Sequence, residues 1–344
     1  MARNLRLLRG TALAAVAGLM LPGLAAAEDA YRVYVSNEFS ADISVIDPAT
    51  MEVVDTIMIS ERPGDVRPRG MAVSPDGKQI IVSVSDFFPE RTTPEDAITI
   101  IDVATDEVVN SFSAGGNPER LAATPDGTQI WASLEALALG AGFDAATGEK
   151  IADFRVGIEA EGVAVSPDGR WVYVTAEATH TVTVIDTVEM KAVKHIIVGN
   201  RPRVVEFSVD GAYAYVTAEI GGTVSVIDVA THTVTQTIDL GLDSRPVEIA
   251  VAPDGNTLYV AGGGTNAVYV IDTASAAVTA TIKEQMGRRP WGIAITPDGS
   301  RVFTANGMSD SVSVIDTATN TVINNISVGR GAHSVEVGLV PSND

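Results

Sequence analysis

Residues 247–282 read VEIAVAPDGNTLYVAGGGTNAVYVIDTASAAVTATI. Val247 to Ala252 is a short apolar run stopped by Pro253-Asp254-Gly255. In such a turn proline presets φ, and Asp and Gly tolerate the two conformations that follow. Thr257 to Ala261 (TLYVA) is rich in β-branched and aromatic residues and reads as a second strand. Gly262 to Asn266 turns the chain into a third strand, Ala267 to Asp272 (AVYVID). Thr273 to Ala277 turns it again into an alternating fourth strand, Val278 to Ile282. The Asp that ends the third strand is expected to accept backbone hydrogen bonds in the turn after it.

The same pattern recurs along the chain. An apolar residue followed by Asp occurs at Asp47, Asp102, Asp144, Asp186, Asp228, Asp272 and Asp316, in steps of 55, 42, 42, 42, 44 and 44 residues. Pro-Asp-Gly turns end at Gly77, Gly127, Gly169, Gly255 and Gly299, with Val209-Asp210-Gly211 as a variant. Four short strands in a period of about 42 residues specify one blade of a β-propeller, and seven third strands specify seven blades. The expected fold is therefore all-β, a seven-bladed β-propeller of four-stranded blades in one domain, residues 28–344. No stretch of that domain has the length and 3.6-residue period of a stable helix. Tyr31 to Ser36 reads as a second strand with no first strand before it, and Ala332 to Val340 as a first strand with no blade after it. The C-terminal strand is thus expected to complete the N-terminal blade and close the ring, which removes exposed edges. Because the Asp markers recur in every blade, they read as structural and not catalytic.

Residues 1–27 read as a cleavable signal peptide: Arg3, Arg6 and Arg9, an apolar run from Thr11 to Leu21, then Ala25-Ala26-Ala27. The run is too short to span a bilayer, so no membrane span is expected after cleavage. The expected destination is periplasmic or secreted. The chain has no cysteine, which excludes disulfides, thiolate metal sites and covalent c-type haem. Its formal net charge is −21, and −24 without the three arginines of the signal segment. Such a field disfavours nucleic acid as a partner.

The second strands read Tyr34-Val35-Ser36-Asn37, Tyr173-Val174-Thr175-Ala176, Tyr215-Val216-Thr217-Ala218, Tyr259-Val260-Ala261-Gly262 and Phe303-Thr304-Ala305-Asn306. Over nearly the whole of residues 28–344 the chain resembles the Tyr-Val-Thr-Asn repeat family of bacterial and archaeal β-propellers. The segment Glu219 to Asp228 (EIGGTVSVID), preceded by Arg201-Pro202-Arg203, is similar to periplasmic propellers associated with pyrroloquinoline-quinone-dependent (PQQ-dependent) alcohol catabolism. Thr304-Ala305-Asn306-Gly307, running on to Ser311 through Asp316, points to the same branch. The resemblance implies an accessory role beside a periplasmic quinoprotein dehydrogenase and supplies no catalytic residues.

First strands line the channel of a propeller, so departures from the repeat there locate candidate sites. Aligned on the turn aspartates, the residues ringing one mouth are Arg69, Glu119, Glu161, Arg203, Val247, Trp291 and His333; the next position adds Arg120 and Glu248. The ligand-binding set read from this ring is Arg69, Glu119, Arg120, Glu161, Arg203, Glu248, Trp291 and His333. Its partner would be a polar or anionic small molecule, or the loop of a partner protein. Arginines would grip carboxylate or phosphate and Trp291 would stack on a flat portion. The plainer alternative is a rim of mutually paired charges.

Glu161, Glu206, Glu248 and Glu336 could converge on a hard cation such as Ca²⁺. Neither Ca²⁺ nor PQQ is required by the sequence. His180, His195 and His232 read as surface residues. The second blade carries eight extra residues, Phe87 to Pro94, and a further five near Glu61 to Asp65; they read as a loop contact or a tolerated insertion. No Gly-x-Ser-x-Gly, His-Glu-x-x-His or phosphate-cradling glycine loop is present. The leading function is a non-enzymatic binding propeller accessory to PQQ-dependent alcohol oxidation. The alternatives are a metal-dependent lactonase or other hydrolase working in the channel, and haem d1 or quinone binding there.

Overall fold

The computed structural model of the chain describes residues 31–60, 64–87 and 96–340. The signal segment, most of the second-blade insertion and Glu61 to Pro63 lie outside the described residues. Among the described residues twenty-eight strands, β1 (Tyr31–Asn37) to β28 (Ala332–Leu339), form seven four-stranded antiparallel sheets. The one helical element among the described residues is a single 3₁₀ turn at Glu135–Leu137.

Blade 6 shows how the repeat folds. Its strands are β20 (Pro246–Val251), β21 (Thr257–Gly262), β22 (Ala267–Asp272) and β23 (Ala277–Ile282), in that spatial order. Gly255 takes φ +72°, and Asp254 accepts the Asn256 N–H at 2.9 Å. Asp272 accepts the Ser275 N–H at 2.8 Å, as expected for a structural Asp at the end of a third strand. The third strand is buried over most of its length, whereas β23 is exposed at four of its six positions and buried only at Ile282, as befits the outer strand of a blade.

The closing blade pairs β28 with β1, Tyr31 opposite Leu339 and Val35 opposite Val335, and continues through β2 (Asp42–Asp47) and β3 (Glu52–Met58). Val33, Val35 and Val335 pack with Phe303 and Val314 of blade 7, so the seam is apolar. Around the channel the first strands follow the ring β28, β4 (Val66–Val73), β8 (Pro118–Ala123), β12 (Ala160–Val165), β16 (Pro202–Phe207), β20, β24 (Pro290–Ile295) and back to β28.

A hydroxyl joins most neighbouring blades. Ser36 donates to the Arg69 carbonyl at 2.6 Å, Ser83 to Glu119 at 2.8 Å, Thr175 to Arg203 at 2.7 Å and Thr217 to Val247 at 2.6 Å; Ser133 donates likewise to Glu161. Each donor is the hydroxyl residue of a second strand, and each acceptor is the mouth residue of the next blade. The series ends where blade 6 has Ala261 and where Thr304 turns to Asn306 at 3.1 Å. The two mouth residues without this support are Trp291 and His333. Strand approach is close enough that a Cβ on Gly162 would lie 2.3 Å from the Arg203 carbonyl, so glycine is required there.

Blade 3 departs from the Tyr pattern with Trp131, fully buried in β9 (Gln129–Leu134). Its cross-strand partner is Gly142 of β10 (Leu139–Asp144), whose missing Cβ leaves the room that the indole fills, 3.0–3.3 Å from that position.

Candidate functional site at the channel mouth

The mouth residues of the first strands come together as the repeat alignment expects, and most are already bonded to one another. Arg203 is the hub. Its guanidinium meets Glu161 at 2.9 Å and Glu219 at 2.8 Å, and also bonds Glu177. Arg201 joins the same carboxylates, Glu177 at 2.8 Å and Glu219 at 3.3 Å. Arg69 bonds Glu119 and lies 3.5 Å from Glu38, which Arg67 also reaches at 3.2 Å. Val247 is buried and apolar.

Trp291 is clad by guanidinium groups, Arg203 at 4.8 Å and Arg289 at 4.5 Å from its ring centroid, with the His333 ring 5.8 Å away. These contacts hold arginines in place on the indole. Its Nε1 and both ring nitrogens of His333 are buried with no hydrogen-bond partner. Orphaned polar atoms of this kind cost free energy and are rare in a finished structure, so they point to a missing partner.

Electrostatics follows from this packing. Burial and the facing Arg69, Arg120, Arg203 and Arg67 hold the His333 imidazole well below its usual pKa, so it is neutral. Burial pushes Glu177 up to about 8, helped by Glu161 and opposed by Arg203 and Arg201. Against its own burial, Glu161 is held below the carboxylate range by Arg203, Arg69, Arg120 and Arg201. The mouth encloses a cavity of about 390 Å³, with Phe39 and Met308 at its lip. That size falls in the range of small-molecule sites.

Deeper in the channel, Arg120 of β8 reaches Glu248 of β20 at 2.6 Å. These strands stand three places apart in the seven-strand ring, so the ion pair spans the bore and separates the mouth from a second cavity of about 250 Å³. Glu206, Glu248 and Glu336 line that lower cavity, whereas Glu161 stands in the upper one on Arg203. The carboxylate set considered for a cation is therefore split by the Arg120–Glu248 pair. Among the described residues no three carboxylate or imidazole groups are placed to hold a metal ion together. Burial and the Glu248 charge push Glu206 up to about 8, and burial with Glu248 and Glu206 raises Glu336 well above its usual value.

The other histidines are partly placed by packing. His232 lies edge-on to Trp171 and bonds the Tyr173 hydroxyl at 2.6 Å, and His195 bonds Thr183 at 2.9 Å. His180 accepts the Arg201 N–H at 3.1 Å. Phe87 lies 5.6 Å from the Arg67 guanidinium.

The ring alignment missed the residues that partner it. Glu38, Glu135, Glu177 and Glu219 each directly follow a second strand, and Arg67, Arg201, Arg245 and Arg289 each stand two before a mouth residue. Both positions repeat from blade to blade, so alignment at those two offsets finds them. Arg201, Arg245 and Arg289 hold left-handed backbone, φ +59°, +45° and +56°, as do Asn117 and Glu159 at the same offset in blades 3 and 4, so the conformation belongs to the repeated turn.

Among known proteins, a family model described as "Lactonase, 7-bladed beta-propeller" matches residues 187–323, less than half of the chain. No curated protein matches the chain. A functionally unknown protein from Desulfotomaculum acetoxidans superposes with TM-score 0.76 at 16% identity, covering 90% of this chain and 99% of its own. Kuenenia stuttgartiensis hydrazine synthase gives 0.69 at 21%, covering 83% and 97%. A candidate 6-phosphogluconolactonase from Bacteroides fragilis gives 0.71 at 18%, covering 91% and 99%. At these identities the likeness is one of fold. The fold is a seven-bladed β-propeller.

Among the described residues no helix is long and apolar enough to cross a membrane.

Proposed function

We propose that this chain is a non-enzymatic binding propeller of the periplasm, exported by its N-terminal segment, whose channel mouth takes a small polar molecule or the loop of a partner protein. The observation that carries this reading is the set of buried, unpartnered polar atoms at the mouth, His333 Nδ1 and Nε2 with Trp291 Nε1, around a cavity of small-molecule size. The resemblance to propellers of PQQ-dependent alcohol catabolism favours a place beside a quinoprotein dehydrogenase, with PQQ or the dehydrogenase itself as partner.

A thermal-shift series on the purified protein tests it, with PQQ, a quinoprotein alcohol dehydrogenase, short-chain alcohols, Ca²⁺ and Zn²⁺ as additives. A ligand at a hundred times its Kd adds about 2.7 kcal/mol of stability, a readily measured shift. The expected result is a shift with an alcohol or the dehydrogenase that disappears in His333→Phe. No shift with any of them would overturn the accessory reading.

The family-model match over residues 187–323 favours a second reading, a metal-dependent lactonase. The residues fit the metal poorly, because Arg120 divides the carboxylates and Arg203 occupies Glu161. A shift with Ca²⁺ or Zn²⁺, accompanied by lactone hydrolysis, would decide for it.

A further inference from the structure

Most of the positive charge of the mouth is already committed. Arg69, Arg201 and Arg203 each contact at least two carboxylates. Arg289 lies against Trp291. For Arg69, Arg201 or Arg203 to hold an incoming carboxylate or phosphate, it must give up a glutamate and leave that group buried and unpaired, a strongly unfavourable exchange. The hydrogen-bonding capacity left over is of another kind. Buried atoms of Arg67, Arg69, Arg201 and Glu119 also lack a hydrogen-bond partner, but they belong to groups already paired by charge; the neutral groups left over are His333, at Nδ1 and Nε2, and Trp291, at Nε1.

A neutral imidazole offers one donor and one acceptor. His333 is 4% exposed and faces arginines, so its surroundings disfavour the imidazolium. A hydroxyl group is the simplest complement, because it donates and accepts at one atom. The indole N–H supplies a second donor for a neighbouring oxygen. At the lip, Phe39 (47% exposed) and Met308 (57% exposed) offer apolar surface to the carbon skeleton of whatever enters.

We infer that the channel mouth selects an uncharged, hydroxyl-bearing organic molecule, with a hydroxyl bonded to His333, over carboxylates and phosphates of the same size. This rests on the reading of the mouth as a binding site and narrows it: PQQ, a tricarboxylate, falls outside the class, which leaves an alcohol or the dehydrogenase as occupant.

The test uses matched pairs at equal concentration and pH 7.5: benzyl alcohol with benzoate, and glucose with glucuronate. Binding is followed by calorimetry, thermal shift and the ¹⁵N resonances of the His333 ring in the purified protein. The expected result is that the uncharged member of at least one pair binds ten times or more tighter than its acid and moves the His333 resonances. His333→Phe should abolish this binding while melting no lower than the wild type, since it removes two unsatisfied buried nitrogens. His333→Gln, which keeps a donor and an acceptor, should recover part of the binding.

Tighter binding of the acids would overturn the inference and leave the mouth a binding site for anions. Equal binding of the alcohol or sugar to wild type and His333→Phe would overturn the role of His333. Silence from every pair, with unmoved ring resonances, would overturn the inference and the small-molecule reading together.

Discussion

At the scale of single residues, the channel sets buried groups against their usual protonation, and the sign differs between the raised carboxyls and the histidine. Glu206 in the lower cavity has its folded pKa pushed up to about 8 from 4.5. The folded protein therefore binds more protons than the unfolded chain between those values, and stability falls as pH rises through them. Glu206→Gln should flatten this limb, raising Tm at pH 8 relative to wild type while leaving pH 4 nearly unchanged; calorimetry across pH checks it. His333 acts oppositely. Its folded pKa lies below 6.5, so its share of stability is present above that value and is lost as pH falls below it. His333→Phe should flatten the acid limb alone. The blade-to-blade hydroxyls make a further residue-scale prediction. Thr217→Val leaves the Val247 carbonyl without its donor and should cost about 1–3 kcal/mol in urea unfolding. Ala261→Ser should restore the missing link to Trp291 and stabilise by about 0.5–1.5 kcal/mol.

At the scale of strands, closure depends on one element. β28 is the inner strand of the blade that β1 continues, and its Val335 packs with Val33 and Phe303. A chain ending at Gly331 would expose the whole inner edge of β1, an unpaired and apolar template for other chains. Such a truncation should lose the cooperative transition and self-associate, as light scattering and calorimetry would report. Blade 3 tests packing within a sheet. Gly142→Val forces a branched side chain onto the Trp131 ring and should destabilise by about 1–3 kcal/mol through overpacking. The blades were legible in the sequence because each is a local object: a turn, an alternating strand and a terminal Asp within some 42 residues. Gly142 was not, since its reason is the indole across the sheet.

At the scale of the whole molecule, the Arg120–Glu248 pair joins strands from opposite sides of the ring. Arg120→Met leaves Glu248 buried and unpaired and should cost about 3–5 kcal/mol, whereas Arg120→Met with Glu248→Leu should recover most of it. A double-mutant cycle read by denaturant unfolding measures the coupling. Residues 128 positions apart cannot be paired by any local pattern, and this cross-channel contact is what divides the channel into two cavities.

The sequence by itself determined the number of blades, the four strands in each, the closure of the ring by its two ends and the set of residues at the mouth. All of these follow from periodicity and turn chemistry, which act over a few residues. Only the tertiary structure decided how those mouth residues are spent. Arg69 and Arg203, read as grips for an anion, are held by Glu119, Glu161, Glu177 and Glu219 from other strands and turns. Trp291, read as a stacking surface, carries Arg203 and Arg289. His333 is left with both nitrogens unsatisfied. Charge pairing and desolvation depend on distances across the ring, and those exist only once seven distant segments have been brought to one axis.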